Sequence, residues 1–190
     1  MDRCGQNKIL MELKKTIIDG CFEIKNNILT DNRGYFVKNY TKDFFIQNNL
    51  DDNFLEEYYS YSTNNVLRGM HLQLPPHDHV KIVNCIFGEV LDVVIDLRID
   101  SPSFGKYQDI ILSEAKANMV YIPKGCAHGF CVVSNNAILM YKVSSYHHPS
   151  HDSGVRWDSI GIQWPIGNPI VSQRDSALPS FHQFIELNKL

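Results

Sequence analysis

The sequence predicts an all-β fold, a sandwich or barrel trimmed by a few short helices, and three observations carry that prediction. From residue 58 onward, β-rich or alternating segments follow one another: Tyr59–Thr63, Ile82–Phe87, Leu91–Leu97, Asp109–Leu112, Asn118–Ile122, Gly129–Val133 and Ala137–Ser144. Turn formers separate them, at Gly88, Ser101-Pro102, Pro123–Gly125 and Asn135-Asn136. In VLDVVID, alternation puts Leu91, Val93, Ile95 and Leu97 on one wholly apolar face, with Val90, Asp92, Val94 and Asp96 on the other.

Upstream, residues 1–10 read as a loosely held leader. Two short strands are expected at Thr16–Ile18 and Cys21–Ile24. Asp31, Asn32, Arg33 and Gly34 make a turn into a strand over Tyr35–Tyr40, and KDFFIQNNL fits a short helix closed by Asn and Asp residues. Beyond the strand-dense region only Pro179–Leu190 reads as helical. The whole of 1–190 is expected to form one domain.

Composition narrows the function classes. Hydrophobic residues make up 44% and charged residues 21%, which excludes wholesale disorder. The 18 basic residues are balanced by 21 acidic ones, which argues against a broad nucleic-acid surface. No apolar run approaches the roughly 20 residues of a membrane span, and MDRCGQNKILMELKK lacks the apolar stretch of a signal peptide. A soluble cytoplasmic protein is expected. The five cysteines are an odd number without a CxxC pair, and Cys85 and Cys131 sit in apolar runs as reduced, structural thiols.

Histidine carries the chemical signal. His71 lies in LRGMHLQLPP, His77 and His79 in PPHDHVK, His128 in PKGCAHGF, and His147, His148 and His151 in YHHPSHD. The last group, among Pro and Ser, reads most simply as a loop. His77-x-His79 has a spacing that can hold a metal, but a site needs three or four converging ligands and Pro75-Pro76 makes this segment a turn. Arg68, His71 and Lys81 surround that turn, Tyr141 and Lys142 end the run AILM, and Asp175 follows Arg174 in SQRD. A His, a Tyr and a Lys in one cleft can abstract a carbon-bound proton, return one, and hold the charge formed in between.

SxNxVLRGMHLQLPPxxxxKIV, GEVLDVVIDLRxxSPSFGK, YIPKGCAHGF, MYK and SQRD occur in this order, and together they resemble the nucleotide-sugar 3,5-epimerases typified by dTDP-4-dehydrorhamnose 3,5-epimerase. The resemblance runs from about residue 15 to 182. It implies a cupin-type double-stranded β-helix, a homodimer, and catalysis on a nucleoside-diphosphate 4-keto-6-deoxy sugar without metal or redox cofactor. Carried over position by position, His71 matches the base, Asp175 the carboxylate that orients it, Tyr141 the acid on the opposite face of the sugar, and Lys81 the cation beside the 4-keto oxygen. Arg33, Phe36, Arg68, His128 and Arg174 match substrate-binding positions.

The chemistry explains these residue types. A ketone at carbon 4 acidifies the hydrogens on carbons 3 and 5, and the enolate left by removing either needs a fixed donor or cation. Inversion requires the proton to return from the other face, so base and acid must differ. Imidazole, with a reference pKa of about 6.5, suits abstraction near neutrality; a phenol, near 10, stays protonated as a donor.

Departures from the resemblance gather where the family contacts the nucleotide. Lys38 stands where an acid is usual, Glu56-Glu57-Tyr58 where Gln-x-Asn is usual, His147 where a Tyr stacks on thymine, and Asp152 where a Glu is usual. A carboxylate accepts hydrogen bonds but cannot donate them, so Glu56 suits the N–H edge of guanine or the amino group of cytosine. GDP or CDP sugar is therefore expected in place of dTDP sugar. An epimerase of one carbon only, a metal cupin built on His71, His77, His79 and His128, and a non-catalytic binding module are the alternatives.

Overall fold

A computed structural model describes residues 11–188, so the expected leader and Cys4 lie outside the described residues. Thirteen strands and three short helices follow in chain order. The strands are β1 (Glu12–Lys15), β2 (Phe22–Lys25), β3 (Ile28–Asp31), β4 (Gly34–Val37), β5 (Glu56–Thr63), β6 (Leu67–Gln73), β7 (Lys81–Phe87), β8 (Glu89–Asp96), β9 (Tyr107–Ser113), β10 (Asn118–Ile122), β11 (Cys126–Val132), β12 (Asn136–Val143) and β13 (Asp152–Gly154). The helices are α1 (Lys42–Gln47), α2 (Gln173–Ser176) and α3 (Phe181–Leu187).

The strands form a six-stranded sheet, ordered β1-β2-β10-β7-β12-β5, and a five-stranded sheet, ordered β13-β6-β11-β8-β9. Every pairing between strands within them is antiparallel. Consecutive strands β7 and β8 sit in different sheets, as do β10 and β11, and β11 and β12. The chain therefore winds back and forth across one interior.

Three apolar clusters define the layers. Between the sheets lie Val83, Cys85, Val90, Val94, Val120, Phe130, Leu139 and Tyr141. Outside the five-stranded sheet, Leu67, Met70, Leu72, Leu91, Val93 and Ile95 are covered by the C-terminal segment through Trp157, Trp164 and Phe184. Outside the six-stranded sheet, Ile24, Ile82, Met119 and Tyr121 are covered by Phe45 and Leu50 in and after α1. β8 thus has no solvent face: Leu91, Val93 and Ile95 pack outward, while Val90, Asp92 and Val94 point into the interior, as period-2 geometry requires.

Three expectations need correction, the first being that only Pro179–Leu190 is helical beyond the strands, since Gln173–Ser176 forms α2 as well. Thr16–Ile18 is a turn, because the Thr16 hydroxyl accepts from the Ile18 N–H (3.1 Å) and donates to the Cys21 carbonyl (2.9 Å), while Gly20 takes a φ of 75°; the strand precedes it. The segment Leu67–Gln73 is a strand that the apolar pattern did not disclose. Its partner β11 runs His128 against His71 and Phe130 against Arg68, so β6 spends one extra residue between these pairs. That bulge inverts the side-chain phase: Leu67 before it and Met70 and Leu72 after it all face the outer cluster. A Cβ on Gly69, at the bulge, would lie 2.5 Å from the Gly129 Cα, so only glycine permits the two backbones to approach this closely.

Candidate active site

The bulge at Gly69 turns both Arg68 and His71 toward one open cavity of about 730 Å³, a volume suited to a small organic ligand. The cavity opens between the sheets. β6 and β11 supply Arg68, His71, His128 and Phe130 from the five-stranded side; β5, β7 and β12 supply Glu56, Tyr58, Ser60, Lys81 and Tyr141 from the six-stranded side. His147 from the loop after β12, Asp152 from β13 and Arg174 from α2 complete the rim.

Asp175 lies behind His71. Ser172 caps α2 by accepting from the Asp175 N–H (3.1 Å), which fixes the carboxylate at the start of the helix. Asp175 Oδ1 then accepts from His71 Nε2 at 2.7 Å, and Oδ2 accepts from the Gly69 N–H at 2.9 Å. Burial alone would push this carboxyl up. The His71 hydrogen bond and charge, with the Gly69 and Ser172 bonds, hold it below its ordinary value, so it stays an acceptor. An ionised Asp175 requires the proton on Nε2 and leaves the His71 Nδ1 lone pair free.

His128, paired with His71 across the β6–β11 ladder, has its own carboxylate: its Nε2 donates to Asp92 Oδ2 at 2.6 Å. Burial lowers the His128 pKa, against the pull of Asp92. Asp92 itself is fully buried on the interior face of β8. Two imidazoles thus sit side by side, each held by a buried acid.

Opposite them, Tyr141 belongs to a strand in which buried and half-buried residues alternate, and it stands in the inward row Ala137, Leu139, Tyr141, Val143. Its hydroxyl shares a 3.1 Å hydrogen bond with Ser60 Oγ, and its ring stacks on Tyr58 with centroids 4.8 Å apart. Burial raises both phenols, Tyr58 to about 12, so both are protonated near neutrality. Lys81, on β7, is 8% exposed, and desolvation pushes its ammonium down to about 8 despite Asp92 and Asp152 nearby. Among the described residues no carboxylate pairs with it directly, which leaves its charge for an incoming oxygen. At the mouth, Arg174 donates to Asp152 (2.6 Å), and Glu56 accepts from the His147 N–H (3.0 Å).

A model of the dTDP-4-dehydrorhamnose 3,5-epimerase family matches residues 15–183 of this chain. The chain belongs to that family. The dTDP-4-dehydrorhamnose 3,5-epimerase of Shigella flexneri is 37% identical over 168 residues, covering 87% of this chain and 93% of its own. Among solved structures, the 3,5-epimerase of Legionella pneumophila in complex with dTDP-4-keto-L-rhamnose superimposes with a TM-score of 0.88 at 34% identity, over 94% of this chain and 97% of its own. A 3'-monoepimerase from Streptomyces bikiniensis, in complex with dTDP-quinovose, gives 0.88 at 28% identity, over 93% and 91%. As a member of this family the protein is an isomerase with the cupin-like β architecture.

In this epimerase, eleven of the fourteen residues expected at the site are together: ten line the cavity and Asp175 backs His71. Arg33, Phe36 and Lys38 are elsewhere. They sit on and just after the β3–β4 hairpin, a two-stranded sheet of its own, where Phe36 is 55% exposed and Arg33, among the described residues, pairs with neighbouring Asp31. Sequence reasoning missed Asp92 and Ser60. Asp92 did leave a signal, as the acid between Val90 and Val94 on a strand face too apolar for water. The tetrad His71, His77, His79 and His128 does not converge. His71 and His128 hold separate acids, His79 bonds Gln73 (3.1 Å), and His77 stacks on His148. The four cysteines described are free and buried; burial raises their thiols, which suits packing rather than reactivity.

Proposed function

We propose that this family member inverts carbons 3 and 5 of a nucleoside-diphosphate 4-keto-6-deoxy sugar by deprotonation on one face and reprotonation on the other. One observation carries the reading: a His–Asp pair and a protonated Tyr face one cavity from opposite sheets. The His71 Nδ1 takes the proton from carbon 3 or 5, and Asp175 stabilises the imidazolium that results. The ammonium of Lys81 holds the enolate oxygen at carbon 4, where a desolvated charge acts most strongly. Tyr141 returns a proton to the opposite face, and His128 and Arg68 hold the sugar beside them. Ser60 steadies the phenol.

Glu56 supports a nucleotide other than dTDP. It is anchored at the cavity mouth by the His147 N–H, so its remaining acceptor capacity suits the adjacent N1–H and N2–H donors of guanine or the amino group of cytosine, where thymine offers a single N3–H between two carbonyls. The rim Arg174, paired with Asp152, is placed for the diphosphate. Arg33, Phe36 and Lys38 reach substrate in a homodimer, the exposed hairpin of one protomer lying over the cavity of the other; an isolated two-stranded hairpin otherwise has little to hold it. A nucleotide-sugar substrate supports a cytoplasmic enzyme that serves the synthesis of bacterial surface polysaccharide.

The test is proton NMR in deuterium oxide with the 4-keto-6-deoxy sugars of dTDP, GDP and CDP, each presented separately. Loss of the signals at carbons 3 and 5, fastest with GDP or CDP sugar, is the expected result. Exchange at one carbon only would make this a monoepimerase. Preference for dTDP sugar would overturn the nucleotide assignment alone, and no exchange from folded protein with any of the three would overturn the activity.

A further inference from the structure

Beside the catalytic cavity, two loops bring His77 together with His148 and His151, which lie far along the chain from it. His77 comes from the segment after β6, and His148 and His151 from the segment before β13. Each offers one ring nitrogen, and those atoms lie within 4.8 Å of one another; they are the one such grouping of His, Cys, Asp or Glu among the described residues. None of the three lines the catalytic cavity.

The local geometry is that of a chelate. His148 Nδ1 and His151 Nδ1 are 3.0 Å apart, and Ser150 Oγ lies 3.1 and 3.0 Å from them. Nitrogens bound tetrahedrally to zinc at 2.0–2.1 Å are about 3.3 Å apart, close to this spacing. The His77 ring stacks on His148 with centroids 3.9 Å apart, and its ligand nitrogen is within 4.8 Å of the other two, so closing the third bond needs a shift of at most about 1.5 Å. The backbone already holds the loops in place, because the Leu74 N–H donates to the His151 carbonyl (2.8 Å) and the His151 N–H to the His148 carbonyl (2.9 Å). Desolvation and the two neighbouring imidazoles hold His77 below the ordinary imidazole range, which favours the unprotonated form a metal needs.

We propose that His77, His148 and His151 form a site for a borderline divalent cation of the zinc type, which clips together the two loops bordering the catalytic cavity. Imidazole ligands select zinc and its neighbours over magnesium or calcium, and three protein ligands leave one position for water or Ser150. The clip is structural. Its loops carry His79 and His147 at the cavity rim, so the cation fixes the mouth without touching the reacting sugar.

Calorimetric titration of zinc into tag-free, chelator-stripped full-length protein tests this. One equivalent per chain is expected, with a rise in melting temperature on addition of zinc. His148→Ala/His151→Ala should weaken binding at least tenfold and abolish that rise. His77→Gln, on the other loop, gives an independent variant should the double one unfold. Absence of saturable one-to-one binding, or binding undiminished in the variants, would overturn the proposal. Because binding is read directly, neither result depends on the epimerase assay.

Discussion

Replacing Asp175 by Asn probes the proton-transfer geometry with least disturbance of packing. Asn is nearly isosteric, and its amide oxygen can still accept from the Gly69 N–H, now 2.9 Å from Oδ2. Its NH₂ then faces His71 Nε2, where an acceptor stood at 2.7 Å. Two donors cannot share that bond, so the imidazole must move its proton to Nδ1, the nitrogen that has to be free. Asp175 is only 2% exposed, so water cannot make good the loss. A charge-assisted bond contributes about 1.5–3 kcal/mol, and the wrong tautomer with a less stabilised imidazolium adds a comparable amount. A total of about 3–6 kcal/mol is a fall of about 10²- to 10⁴-fold in the chemical step. The assay is the rate of deuterium incorporation at carbons 3 and 5 under saturating substrate, with the denaturation midpoint as a control for folding. A kcat within threefold of the unaltered enzyme, from a variant of unchanged stability, would refute the assignment of Asp175 as the residue that orients the base.

The remaining predictions concern charge, backbone and nucleotide. Lys81 is charged below and neutral above about pH 8 in the free enzyme, so kcat/KM should fall as pH rises through that value. The kcat limb should lie higher, since the developing enolate favours the ammonium. Lys81→Met should remove that limb and lower kcat by about 10²- to 10³-fold, the usual effect of losing an oxyanion donor. Gly69→Ala meets the Gly129 backbone at 2.5 Å and a φ of 119°, and should cost about 3 kcal/mol or more, read by chemical denaturation. Glu56→Gln restores a donor at the cavity mouth and should shift the ratio of kcat/KM values toward dTDP sugar by about tenfold.

Much of the site was legible through five motifs in register with the epimerase family, whereas spacing alone did not show that its His, Tyr and Lys converge. Tyr141 sits in an alternating strand whose phase is uninterrupted, so its inward direction follows from Ala137 and Leu139 alone. The strand carrying His71 escaped the same reasoning for a definite cause. The bulge at Gly69 shifts the phase by one, so Leu67 and Met70 share a face although three residues apart, and Arg68 and His71 share the other. A periodicity read by local pattern loses its signal where the site re-aims its side chains. Asp175 stood at a short helix whose four residues leave too little pattern to recognise, though its Ser172 cap was in plain sight. Arg33, Phe36 and Lys38 lie on and beside a separate hairpin away from the cavity, and a motif match carries no information about where in space its residues gather. The His77, His148 and His151 cluster depends on two loops meeting, as non-local as any contact in the fold.

The central claim is that base and acid occupy opposite faces of one sugar, and a comparison of His71→Ala with Tyr141→Phe in deuterium oxide tests it most directly. Phenylalanine keeps the ring against Tyr58 and removes only the hydroxyl bonded to Ser60. The account predicts that His71→Ala abolishes both deuterium exchange and inversion, whereas Tyr141→Phe continues to exchange but returns deuterium to the original face, without inverted product. Inverted product from Tyr141→Phe at an undiminished rate, or persistent exchange in His71→Ala, would contradict it.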